Sequence, residues 1–378
     1  MQRLDRRWFH SLVVLLLVVA VAAGGMWPAG YAAAADVAAP SSNLPADQLV
    51  YFSQTGHHLG DRSHFLSYWR THGGILVFGY PISEELVEDG RTVQYFERAR
   101  FEHHPEQPDP EYQVQLSLLG SELTRGRDFE KAPPDSGERF FPETGQSISG
   151  PFHDFWRKRG GLKVFGHPIS KPLEEISTVD GRPYTVQYFE RARFEHHPED
   201  MGPFYRQWAR DYNLRLLTLY EVRLGDLGRQ AAQRGGRIFD RVPRQDGVPE
   251  WSPQLWKRRI EVNLSSQWLT AYEDATPIFR APVATGRDGF DTPTGSFRIY
   301  DRYQKQTMFG ASGWESWYVT DVPWVQYIVG GVALHGTYWH DQWGTGTRLS
   351  HGCINLSIDD AEWLYAWAGL GTEVNVSY

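Results

Sequence analysis

The sequence predicts a multidomain chain: a duplicated α+β module first, then a mainly-β domain with one secure helix in the last third. Three observations carry this. Thr92 to Glu106 and Thr185 to Glu199 are the same fifteen residues, the mark of an internal duplication. A stretch rich in glycine and proline, Arg234 to Pro253, follows the second copy and reads as a linker. Beyond it come short alternating runs such as Ile260-Glu261-Val262-Asn263-Leu264, the period of half-buried strands. With 378 residues, 41% of them hydrophobic, the chain has material for two or three cores.

In chain order, residues 1–35 read as an export signal or an uncleaved membrane anchor. Arg3, Arg6 and Arg7 precede the apolar run Leu12 to Ala23, and the small residues Ala32 to Ala35 suit a peptidase. Cleavage there would start the mature chain near Asp36, in an extracytoplasmic, wall-associated or secreted location. Losing those three arginines together with Asp5 takes the formal charge from -8 to -10. That balance excludes a generic nucleic-acid binder, which needs clustered Lys and Arg. Contact with a membrane is expected only through the leader.

Residues 36–50 form a linker, 51–130 repeat unit 1, 131–142 a linker marked by Pro133-Pro134, 143–233 repeat unit 2, and 234–255 the next linker. The units match beyond their identical segment. Phe65 to Trp69, Gly73-Gly74 and Phe78 to Ser83 return as Phe152 to Trp156, Gly160-Gly161 and Phe165 to Ser170. Each unit is expected to run as a short helix, a glycine turn and a twisted hairpin, with Trp69, Trp156, Phe78, Phe165, Tyr95 and Tyr188 in the core. His103-His104 and His196-His197 are not read as metal ligands, because adjacent strand residues face opposite ways. Glu97, Arg98, Arg100 and Glu102, with Glu190, Arg191, Arg193 and Glu195, are expected to form exposed charge ladders. The unit resembles aromatic and Gly-Pro-rich repeats found beside bacterial wall enzymes, which implies a wall-binding or spacing role.

The last domain, 256–378, opens with the strand around Ile260 and continues through Gln267 to Tyr272. Thr292-Pro293-Thr294-Gly295 turns into Phe297-Arg298-Ile299-Tyr300. The secure helix is capped by Ser357, with Asp360 completing a capping box and Ala361, Leu364, Tyr365 and Ala368 as its apolar stripe. Gly369 and Gly371 end it, and Glu373 to Val376 returns as a strand.

The chemistry lies in this domain. Cys353, the only cysteine, sits in Ser350-His351-Gly352-Cys353-Ile354-Asn355, and His335-Gly336 ends an apolar strand one loop upstream. One reading makes Cys353 a small buried apolar residue. The other makes it a nucleophile with His335 as base. On a continuous helix the interval between them would span about 27 Å, so they meet only if Gly336 to Leu349 folds back. An imidazolium partner would then lower the thiol pKa. The amides of Gly352 and Cys353 are placed to approach an oxyanion. Trp339, His340 and Trp343 lie in the intervening loop, where they either wall a cleft or pack onto the domain. Trp314, Trp317 and Tyr318 are lid candidates. No metal or cofactor is called for.

These residues carry a resemblance. Residues 256–378 resemble the YkuD-type L,D-transpeptidases, in His335-Gly336-Thr337, then Ser350 to Asn355, and in Thr292-Pro293-Thr294-Gly295-Ser296-Phe297. The resemblance implies a sandwich-like β fold and an acyltransferase acting on peptidoglycan stem peptides as donor and acceptor. Cys353 would form a thioester with release of terminal D-alanine, and His335, oriented by a backbone oxygen near Gly336, would move the protons. His351, Ser350 and Asn355 would position the loop. Two other readings use the same chain: an L,D-carboxypeptidase with water as acceptor, and a non-catalytic wall-binding protein.

Overall fold

The computed structural model describes residues 48–378 apart from 135, 178, 179, 212–220 and 313. The leader expected at 1–35 lies outside the described residues, as does the linker up to residue 47. Unit 1 begins with the hairpin β1 (Leu49–Phe52) and β2 (His57–Gly60), then helices α1 (Phe65–Thr71) and α2 (Gly74–Val77). An antiparallel sheet follows in chain order, β3 (Leu86–Glu88), β4 (Arg91–Tyr95), β5 (Arg100–His103) and β6 (Val114–Leu116), and then helix α3 (Leu119–Leu123). Unit 2 has the hairpin β7 (Arg139–Phe141) and β8 (Gln146–Ile148), with helices α4 (Gly150–Lys158) and α5 (Gly161–Phe165). Its sheet is β9 (Leu173–Ile176), β10 (Pro183–Tyr188), β11 (Arg193–His196) and, after helix α6 (Gly202–Asp211), β12 (Val222–Leu224). Helix α7 (Leu227–Arg234) ends it.

The same local chemistry builds both units. Gly73 and Gly160 adopt φ of +109° and +117°, where a Cβ would strike Val77 and Val164, so only glycine turns the chain there. Trp69 and Trp156 then donate their indole N–H to the carbonyls of Gly79 and Gly166, each at 2.9 Å. The alternation along β4 places Gln94 inward rather than outward. Its amide is fully buried and donates to His58 O and Ser83 O, and Gln187 likewise donates to Ser147 O and Ser170 O. The units also clasp each other reciprocally. Arg229 N donates to Glu97 O and Ser121 N to Glu190 O, so the last helix of each unit caps the β-turn of the other. Gly228 and Gly120 permit this, since a Cβ at either would overlap the carbonyl oxygen of Phe96 or Phe189.

The charged residues depart from the expected exposed ladders. In unit 2, Arg193 and Glu195 are 3% and 4% exposed and bonded at 2.5 Å. Gly225 stands against both, where the matching position in unit 1 carries Ser117, whose hydroxyl meets Arg100 and Glu102. With no side chain at Gly225, the strand closes over the pair.

The C-terminal domain comprises β13 (Arg258–Asn263), β14 (Trp268–Glu273), β15 (Thr276–Pro282), β16 (Gly295–Arg298), β17 (Asp301–Ser312), β18 (Glu315–Val329), β19 (Val332–Gly336), β20 (Ile354–Leu356), α8 (Ile358–Trp367) and β21 (Glu373–Ser377). Two sheets result, ordered β15-β14-β13-β21-β16 and β17-β18-β19-β20. Ile260, Val262 and Leu269 of the first share one core with Ile328, Leu334, Ile354 and Leu356 of the second and Leu364 of α8. Burying such side chains contributes roughly 1.5–3 kcal/mol apiece. Ser357 Oγ accepts from Asp360 N at 3.1 Å and donates to its carboxylate at 2.6 Å, which fixes the start of α8. Where the repeats meet this domain, Arg70 lies 4.1 Å above the Trp256 ring and donates to Glu273 O, and Lys158 pairs with Asp359.

Candidate active site

Strands β19 and β20 run parallel, pairing Leu334 with Ile354, His335 with Asn355 and Gly336 with Leu356. Side chains alternate along a strand. Leu334, Ile354 and Leu356 therefore enter the core between the sheets, whereas Ala333 and Cys353 lie on the opposite face against Val322 and Val325. By the same alternation His335 and Asn355 share the face of Cys353. His335 thus stands diagonally from the cysteine, which directly precedes β20. The loop 337–349 makes the return that this register requires.

His335 is buried, and its Nδ1 lies 3.0 Å from the carbonyl oxygen of its neighbour Gly336. A carbonyl only accepts, so Nδ1 carries the proton and Nε2 keeps its lone pair in the neutral ring. Burial pushes the His335 pKa down to about 4, opposed by the Gly336 bond and aided slightly by His340. Cys353 is partly buried, and its sulfur donates to Gly331 O at 3.7 Å. Desolvation by its apolar neighbours pushes the thiol up to about 11, against a backbone hydrogen bond at Ala333. This corrects the expectation of a thiol lowered by an ion pair. Both groups rest uncharged, because burial disfavours the charged form of each.

Ser350, Gly352 and Thr292 set the shape of the motif loop. Gly352 has φ +113°, its amide donates to Ser350 Oγ at 3.1 Å, and its carbonyl accepts from Thr292 Oγ1 at 2.8 Å. The Gly352 amide is therefore engaged within the loop rather than held open for an oxyanion. Ser350 Oγ in turn donates to Cys353 O at 2.6 Å. His351 faces other partners. Its Nε2 is 2.7 Å from Glu315 and 3.2 Å from Arg287, and its ring stacks on Trp317 at 4.1 Å. Arg287 and His351 hold the Glu315 carboxyl below its usual pKa. Asn355 Nδ2 donates to His340 Nε2 at 3.0 Å, while its backbone pairs with Ala284 in both directions.

Of the loop tryptophans, Trp339 lies 5.8 Å from the His335 ring, and Trp343 donates to Thr337 Oγ1 at 2.9 Å. Trp317 belongs to the β17–β18 ribbon and covers His351, whereas Trp314 and Tyr318 are exposed on the same ribbon. Sequence reasoning read Thr292 as a turn residue and as part of the motif Thr292 to Phe297, without its bond to the Gly352 carbonyl, and did not find Arg287 or Glu315. These are remote in sequence from both motifs and carry no spacing signal.

Residues 257–376 match the profile of the YkuD family, the L,D-transpeptidase catalytic domain. L,D-transpeptidase 2 of Mycobacterium tuberculosis is 29% identical over 114 residues, which are 29% of this chain and 28% of that protein. L,D-transpeptidase 1 of the same species is 24% identical over 120 residues, 30% of this chain and 48% of that one. The chain thus spans less than half the length of these curated relatives. Among solved structures, the catalytic domain of the Enterococcus faecium (E. faecium) L,D-transpeptidase is 27% identical, covering 32% of this chain and 98% of that one, with a TM-score of 0.30. An L,D-transpeptidase from Mycobacterium smegmatis is 24% identical over 36% of this chain and 65% of that one, with a TM-score of 0.31. Residues 257–376 are accordingly a YkuD-type L,D-transpeptidase catalytic domain.

Proposed function

We propose that the protein is an exported L,D-transpeptidase that cross-links peptidoglycan stem peptides through a thioester on Cys353. One observation supports it above the others: the parallel register puts His335 and Cys353 on the same face of adjoining strands. In the first half-reaction, His335 Nε2 takes the thiol proton as sulfur attacks the carbonyl of the third stem residue. The bond to terminal D-alanine breaks, and the imidazolium returns its proton to the leaving amine. In the second, the side-chain amine of another stem attacks the thioester, His335 takes its proton, the C–S bond breaks, and the proton passes back to sulfur. Acid-base help of this kind contributes about 10² to 10⁴ in rate.

A neutral resting pair suits this sequence, because the charges arise only as substrate displaces water. With the Gly352 amide held by Ser350, the amide of Cys353 itself is the oxyanion donor in this reading. The repeats are assigned wall binding.

Mass spectrometry after incubation with a carbapenem tests the nucleophile. The parent chain should gain one adduct and Cys353→Ala none; an adduct on the variant ends the reading. With disaccharide-tetrapeptide, a dimer lacking one D-alanine identifies transfer to an amine, and trimmed monomer alone would identify the carboxypeptidase. Equal retention of the full chain and of residues 256–378 on purified peptidoglycan would remove the role given to the repeats.

A further inference from the structure

The largest difference in length between the two units lies in one connection. After the shared fifteen residues, unit 1 reaches its last sheet strand through 107–113 and unit 2 through the longer 200–221. The longer segment contains α6, and Trp208 on that helix is 3% exposed. Its ring meets Tyr338 edge-on, with centroids 5.9 Å apart and planes at 88°. Tyr338 directly precedes Trp339 in the loop that follows β19. Its hydroxyl donates to Thr320 O of β18 at 2.6 Å, and its ring stands edge-on to Trp339 at 4.9 Å. Trp339 in turn lies 5.8 Å from His335. Aromatic contacts thus lead from the second repeat to the imidazole.

We propose that Trp208 is a positioning residue for the active site, acting through Tyr338 and Trp339 to hold the wall beside His335. The inference rests on the reading of His335 as the base. Trp339 is 42% exposed, so its orientation depends on what braces it from behind. Tyr338 is that brace, fixed by Thr320 at its hydroxyl and by Trp208 at its ring. The rest of the loop is tied away from Trp339, with Trp343 bonded to Thr337 and Gly344 N to Val283 O. An edge-to-face pair is worth about 0.5–1.5 kcal/mol beyond its buried area, which corresponds to roughly two- to tenfold in rate if the brace is released. The repeats would then complete the catalytic cleft as well as tether it. Unit 1, with its shorter connection, has only a 3-10 turn there, Pro110–Tyr112.

The test uses the full chain with Trp208→Ala, Trp208→Phe, Tyr338→Ala and the Trp208→Ala/Tyr338→Ala double variant. Two quantities are read: the second-order rate of acylation by a carbapenem, and the Trp339 indole N–H resonance, assigned with Trp339→Phe. Trp208→Ala should slow acylation by about two- to tenfold and move the resonance, and Trp208→Phe should restore both. In the Tyr338→Ala background, Trp208→Ala should add nothing. An unmoved resonance, or the same fold-loss with and without Tyr338, overturns the proposal. Should Trp208→Ala fail to fold, Trp208→Leu takes its place under the same expectations. The resonance is read without any reaction, so a chain that no carbapenem acylates would sink the transpeptidase reading and still leave the brace decided.

Discussion

The repeat units and the C-terminal domain treat their buried polar groups in opposite ways. In the repeats the same bond is made twice. Gln94 and Gln187 each reach two carbonyls, Ser83 and Ser170 accept the amides of Tyr95 and Tyr188, and both tryptophan N–H groups find a glycine carbonyl. Such pairing stabilises a shape. In the C-terminal domain, one nitrogen of His335 is fixed and the other shares a strand face with a thiol, both groups held neutral by burial. The difference teaches that the duplicated part repeats its structural bonds, whereas the part present once sets an imidazole and a thiol on one strand face.

Substitutions can break this contrast from either side. The largest effect is expected at His335→Gln, which should lower carbapenem acylation by about 10² to 10⁴ while the chain stays folded. Stopped-flow or mass kinetics would read it, and a rate within a few-fold of the parent would remove the histidine from the chemistry. Gly228→Ala should do the reverse. Its Cβ would overlap the Phe96 carbonyl, so a loss of about 3 kcal/mol in denaturant unfolding is expected, with acylation per folded molecule retained.

Gln187→Leu strands two carbonyls and should destabilise by about 1–3 kcal/mol, and Gln94→Leu by a similar amount. A difference between them well beyond 1 kcal/mol would show that the two copies are not energetic equivalents. Ser357→Ala removes the cap of α8 and should cost about 1 kcal/mol in the same unfolding measurement.

Much of the strand pattern is legible because it is local. Ile260 to Leu264 alternates and pairs as β13, and Ser357 caps α8 by a bond three residues long. The return of the 337–349 loop follows from its glycines and from the apolar run before His335. What escapes sequence reading is set by distant partners. Nothing near Glu195 announces that Gly225 will let it be buried, and nothing near His351 announces Glu315 or Arg287. The depressed His335 and raised Cys353 pKa values both come from burial, for Cys353 beside Val322 and Val325 of the long ribbon and Ala333 of β19. Proximity of a base to a thiol suggests an ion pair; only the surroundings reveal that desolvation wins.

The most direct test of the central claim, that a buried neutral imidazole serves the thiol of Cys353, is the pH profile of acylation in the parent and in His335→Gln. The imidazole accepts a proton only while neutral, so the parent rate should hold through mild acid and fall as pH drops through about 4. The residual rate of the variant should lack that limb. A limb near the ordinary histidine value of about 6.5, or one near 4 that survives His335→Gln, would contradict the account.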